Sequence, residues 1–207
     1  MKLSLLLEFL LTFPLLALSL TLHEFAHGWV AERCGDSTAK LSGRLTLNPL
    51  AHIDLWGTVL LPIFFILALN TPFGWAKPVP VNFLNLRKPK SQMVWVAVAG
   101  PIANIFLAIF FAAFYHVGSF SPESTIGSLL KLGSLMNLVL AVFNTIPLPP
   151  LDGSRIVMGL LPPPLLYRYR KLEPFGFLVI LFLWATDLLS KVLLPLVDFL
   201  ARTLGLL

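Results

Sequence analysis

Apolar residues run along this chain in long blocks rather than in alternation. A helix crossing a hydrocarbon core needs about 20 predominantly apolar residues. Four stretches meet that length: 3–30, 93–117, 126–147, and 175–190 with its continuation to 207. A fifth, Leu55–Leu69, is shorter and carries Pro62. Broken backbone survives at membrane depth where protein or a water-filled cavity surrounds it, so 55–69 is expected to be a half-span or re-entrant piece. Phe73–Asn82 reads Phe-Gly-Trp-Ala-Lys-Pro-Val-Pro-Val-Asn, and its alternating prolines forbid helix and allow extended or edge-strand structure. The pattern predicts an all-α polytopic membrane protein of about four to six transmembrane or re-entrant helices, with a short extended or β segment near 73–82. One domain is expected over 1–207, with a core at about 3–160 and a C-terminal helical segment at 173–207.

Composition supports lipid as the solvent. Of 207 residues, 57% are hydrophobic and 12% charged, half the charge of an average soluble domain (about 25%). The stretch 3–22 is apolar, but no small-residue cleavage site follows it, so no signal peptide is expected there. A single cysteine, Cys34, excludes an internal disulfide. The net charge of +5 is read as topology, because no basic run is interleaved with exposed aromatics as nucleic-acid binding would need.

Lysines and arginines gather in two loops. Arg33, Lys40, Arg44, Lys77, Arg87, Lys88 and Lys90 lie between the first two long spans, and Arg155, Arg168, Arg170 and Lys171 follow the third. The loop 117–125 has neither, its one charge being Glu123. Positive loops stay cytoplasmic, which places 33–90 and 155–171 inside and 117–125 outside. A full crossing by 55–69 would export Lys77, Arg87, Lys88 and Lys90, which favours a re-entrant or cytoplasm-side segment. The tail from 173 is expected to span and turn back, or to lie tilted, near Lys191 and Pro195.

Against this apolar background stands His23-Glu24-Phe25-Ala26-His27. Helix positions i and i+4 share a face, so two imidazoles can reach one metal ion while Glu24 sits beside them to take a proton from water. Three ionisable residues ending a run of some twenty apolar ones are costly in lipid and mark function. The bland alternative is a pair snorkelling to the interface. The third ligand has several candidates: Glu8, His52, Asp54, Asp152, Glu173, Asp187 and Asp198. Asp152 stands out because Pro147, Pro149 and Pro150 break the helix before it, at the depth where the first span ends.

With Gly100-Pro101-Ile102-Ala103-Asn104 on the next span and Asn144 through Gly153 closing the third, the chain resembles the site-2 protease family of intramembrane zinc metalloproteases. The resemblance covers roughly 15–160. It implies His23, His27 and Asp152 as ligands of one Zn2+, Glu24 as catalytic base and Asn144 as the group holding the scissile carbonyl. It also implies transmembrane protein or peptide substrates and a prokaryotic cell membrane, and the basic loops place the active site toward the cytoplasm. The extended 73–82 segment is similar to strands that receive unwound substrate by edge pairing. The chain looks like a minimal member lacking PDZ and CBS domains.

Other residues carry two readings. His52 and Asp54 read as accessory ligand or gate, or as a loop histidine and an N-cap before 55–69, the cap being preferred because Asp serves that role readily. Gly100 and Pro101 read as packing, Asn104 as an outer partner of the metal site. A non-enzymatic metal carrier with the same ligands is the alternative class. It should show polar residues along several helices, whereas 126–143 offers chiefly Ser128, Lys131, Ser134 and Asn137.

Overall fold

The structure is a computed structural model describing residues 2–70, 74–121 and 124–207. Phe73 and Glu123, both used in the sequence reading, lie outside those residues.

Among the described residues, three helices are long and apolar enough to cross a membrane: α1 (Lys2–Cys34), α4 (Pro89–Val117) and α5 (Thr125–Asn144). The chain is thus an all-α, multi-pass integral membrane protein. At about 1.5 Å per residue, α1 is roughly 50 Å long and outruns a hydrocarbon core of about 30 Å. Its hydroxyls are silenced within the helix. Ser19 Oγ donates to Leu15 O at 2.8 Å and Thr21 Oγ1 to Ala17 O at 2.6 Å.

Helix α4 is central, packing against α1, α5 and the short α6 (Asp152–Leu160). Its small residues permit close approach. Ala108 and Ala112 meet Leu138 and Val142 of α5 and Leu193, Val197 and Ala201 of α9 (Leu188–Thr203) in one buried cluster. Between α1 and α4 lie α2 (Thr38–Leu41) and an apolar helical arm made of a π-helical stretch, Leu55–Leu60, continuing into α3 (Leu61–Leu69). Asp54 caps this arm by accepting from the Gly57 amide at 2.6 Å. Its 15 residues fall short of a full span. After α6 come α7 (Pro163–Arg170) and α8 (Gly176–Ala185). Arg155 of α6 pairs with Glu173 at 2.7 Å and ties on this C-terminal segment.

Two expectations are corrected. No β segment is present among the described residues 74–82. The amides of Trp75, Lys77, Val79 and Asn82 donate to Gly57 O, His52 O, Glu24 and Asp36 respectively. Four acceptors on four elements make no ladder, and Pro78 and Pro80 supply no N–H to complete one. The C-terminal break falls at Asp187, before Lys191 and Pro195. Asp187 takes left-handed φ 56°, tolerable for Asp, and the pair Pro163–Ala185 and Leu188–Thr203 bends by 78° there. Pro195 rides inside α9.

Candidate metal centre

His23 and His27 lie one turn apart on α1, with their Nε2 atoms 3.0 Å apart. Asp152 opens α6, and its Oδ2 lies 3.2 Å from each Nε2. The proline turn 145–151 makes this meeting possible by ending α5 and returning the chain at once. Gly153 is part of that turn's geometry, since a Cβ there would overlap the carbonyls of Thr145 and Ile146. Gly100 of α4 faces the imidazoles so closely that a Cβ would overlap His27 Nε2 and the His23 ring. Both histidines are buried, and Asp152 keeps 20% of its side chain exposed.

Each ring is held from behind. His27 Nδ1 donates to Val96 O at 2.7 Å, and His23 Nδ1 meets Asn104 Oδ1 at 2.6 Å. A carbonyl oxygen only accepts, so the neutral His27 ring carries its proton on Nδ1 and turns a bare Nε2 lone pair on the Asp152 carboxylate. Lone pairs at 3.0–3.2 Å repel unless a cation lies among them. A tetrahedral zinc ion with bonds of about 2.0–2.1 Å spaces its ligand atoms by about 3.3 Å. The three atoms therefore fit a single Zn2+, and two histidines with one carboxylate leave a coordination position open, as a catalytic site requires. Among the described residues, His23, His27 and Asp152 form the group of His, Cys, Asp and Glu able to hold an ion.

The other singled-out residues are placed as follows. Glu24 is half-buried beside the ligands, with Oε2 accepting from the Val79 amide at 2.7 Å. Asn144 ends α5 and donates one amide proton to Leu140 O at 2.9 Å. His52 is buried with Nε2 donating to Thr46 O at 2.8 Å, and Asp54 caps the apolar arm. Neither belongs to the ion-holding group. Asp198 is paired with Arg202 and Glu173 with Arg155. Val79 and Val96 escaped the sequence reading because they act through backbone atoms. Asn137 escaped because it was weighed only as part of a transport path.

A group able to hold zinc in this way, set among helices long and apolar enough to span a membrane, defines the class of membrane-embedded zinc metallopeptidases. The chain belongs to Peptidase family M50, whose family model matches residues 11–121 and 119–183. It is 42% identical over 190 residues to YwhC of Bacillus subtilis, named for a zinc metalloprotease, covering 88% of this chain and 84% of that one. Rip2 of Mycolicibacterium smegmatis, similarly named, is 29% identical over 84% of this chain and 66% of its own length. Zinc metalloprotease MJ0392 of Methanocaldococcus jannaschii is 28% identical over 72% of this chain and 34% of its own. No solved structure matches.

Proposed function

We propose that this protein hydrolyses peptide bonds within or near transmembrane segments of membrane-protein substrates, with His23, His27 and Asp152 as zinc ligands, Glu24 as general base and Asn144 as oxyanion partner. The observation carrying this reading is the meeting of three ligand atoms within 3.2 Å beside a half-buried Glu24. Zinc, when bound, supplies a Lewis acid that makes water acidic enough to react near neutral pH and polarises the scissile carbonyl.

Glu24 takes a proton from the attacking water as its oxygen bonds to the carbonyl carbon. The free amide proton of Asn144 stabilises the developing oxyanion, the kind of donor such charge needs. Glu24 then returns the proton to the departing nitrogen as the C–N bond breaks. Substrate helices must unwind first, because an intact helix keeps its carbonyls in internal hydrogen bonds. The basic loops 33–90 and 155–171 support an active site toward the cytoplasm of a prokaryotic cell. The membrane-embedded catalytic unit takes in about 3–160, with 173–207 packed on it as a helical segment.

The test is Glu24→Gln in purified protein with a transmembrane reporter substrate. Cleavage should fall by about 10²–10⁴-fold, the usual worth of general acid–base catalysis, while bound zinc stays near one per chain. Cleavage at the wild-type rate would overturn the mechanism.

A further inference from the structure

Behind His23 lies a line of buried polar side chains crossing three helices. Ser19 of α1, Asn104 of α4 and Asn137 of α5 are all fully buried. Asn104 Nδ2 lies 2.8 Å from Asn137 Oδ1. Asn137 Nδ2 lies 2.9 Å from Ser19 Oγ and 2.8 Å from Gly133 O. We infer that Asn137, anchored by Ser19 and the Gly133 carbonyl, is a positioning residue that fixes the proton of His23 on Nδ1 and so turns the Nε2 lone pair to the metal. This rests on the zinc-site reading above.

The direction of every bond follows from the two carbonyls at the far end. Ser19 has one proton and gives it to Leu15 O at 2.8 Å. Toward Asn137 it can therefore only accept, so the atom facing it is the amide nitrogen. That nitrogen spends its second proton on Gly133 O. The oxygen of Asn137 is left facing Asn104, which must answer with its own nitrogen. Asn104 then offers only an oxygen to His23, and the nitrogen 2.6 Å away must carry a hydrogen. The orientation of an amide and the tautomer of a histidine are ordinarily assigned from the surrounding bonds. Here acceptor-only carbonyls fix both. His27 reaches the same tautomer in one step, through Val96 O.

Replacing Asn137 by Leu removes the nearer of the two oxygens that hold the Asn104 nitrogen, leaving only Ser19 O at 3.5 Å. With that long bond alone restraining it, the Asn104 amide can turn its nitrogen toward His23, which shifts the imidazole proton to Nε2 and opposes coordination. Asn137→Asp keeps an oxygen toward Asn104, although it places a carboxyl in a buried site. A role in packing alone predicts that Asp harms the site at least as much as Leu. The positioning role predicts the reverse.

The experiment is zinc affinity by chelator competition on detergent-purified protein, with far-UV circular dichroism of the metal-free forms to confirm folding. Asn137→Leu should bind zinc about 10–100-fold more weakly, the usual worth of an outer partner, and Asn137→Asp should stay within about threefold of wild type. In an Asn104→Asp background, where either carboxylate oxygen can accept from His23, Asn137→Leu should have no further effect. Wild-type zinc affinity in folded Asn137→Leu, or a folded Asn137→Asp that has lost tenfold or more, overturns the inference. A wild type that binds no zinc overturns it together with the metalloprotease reading.

Discussion

The backbone amide of Val79 donates a hydrogen bond to the Glu24 carboxylate at 2.7 Å. It is the sole backbone donor in Pro78-Val79-Pro80, because the prolines on either side have no N–H. Val79 is buried, and its side chain sits over Gly28, one turn beyond Glu24 on the same helix. One oxygen of the Glu24 carboxylate is thereby held in a fixed direction, leaving the other for the proton exchange proposed for it.

That contact can be broken from the opposite side. A Cβ on Gly28 would press to 3.1 Å from Val79 Cγ1 and to 3.2 Å from Ala39 and Leu45. Gly28→Val should push the segment away and free Glu24. A hydrogen bond to a charged group is worth about 1.5–3 kcal/mol, so kcat is expected to fall by about 10–100-fold. Zinc content, measured on the same preparation, should not change.

Gly100→Ala acts on the ligands instead. The added methyl would occupy the space of His27 Nε2 and the His23 ring, and α4 cannot retreat without disturbing its contacts with α5 and α6. Zinc affinity and cleavage should both be lost while helix content is retained. Circular dichroism beside metal analysis separates these effects.

Asp152→Ala joins positions 125 residues apart in sequence into one measurement. Loss of a direct ligand should weaken zinc by more than the roughly 10–100-fold worth of an outer partner. Full zinc retention would move the third ligand elsewhere and remove α6 from the site.

Asp36 offers a pH test outside the membrane spans. Burial alone would raise its carboxyl, but hydrogen bonds from Thr38, the Asn85 side chain and the Asn82 amide outweigh this and hold it below the ordinary carboxylate value. A carboxyl depressed in the folded protein stabilises above its unfolded value of about 3.9, and that contribution fades as pH falls through the folded value. Asp36→Ala should cost about 3 kcal/mol near neutral pH by stranding these donors. The gap in thermal midpoint between wild type and variant should narrow below about pH 4.

Much of this was legible in residue order. His23, Glu24 and His27 declare themselves because ionisable groups are costly at the end of an apolar run. Asp152 declares itself by the prolines before it, and α1, α4 and α5 by length alone. What stayed hidden passes through atoms every residue shares. The carbonyl of Val96 and the amide of Val79 have no side-chain signature. The proline pattern at 78 and 80 was read for the conformation it permits, and the donors it removes are what left 74–82 without a ladder. The C-terminal bend is expected near Lys191 and Pro195 and falls at Asp187, where a left-handed Asp outside any motif makes the turn.

The prolines at 78 and 80 have a further effect on any chain that lies along the outer side of 74–82. The inward donors fall at 75, 77 and 79, every second residue, so the outward positions are 76, 78 and 80, and of these only Ala76 owns an N–H. Of their carbonyls, Pro78 O already accepts from Arg44 Nη2 at 3.3 Å. A second copy of this segment laid alongside would therefore find one N–H and a partly occupied set of acceptors, too little to start a ladder. The same two rings that leave 74–82 without a ladder on its inner side thus keep its outer side from sticking to its own kind.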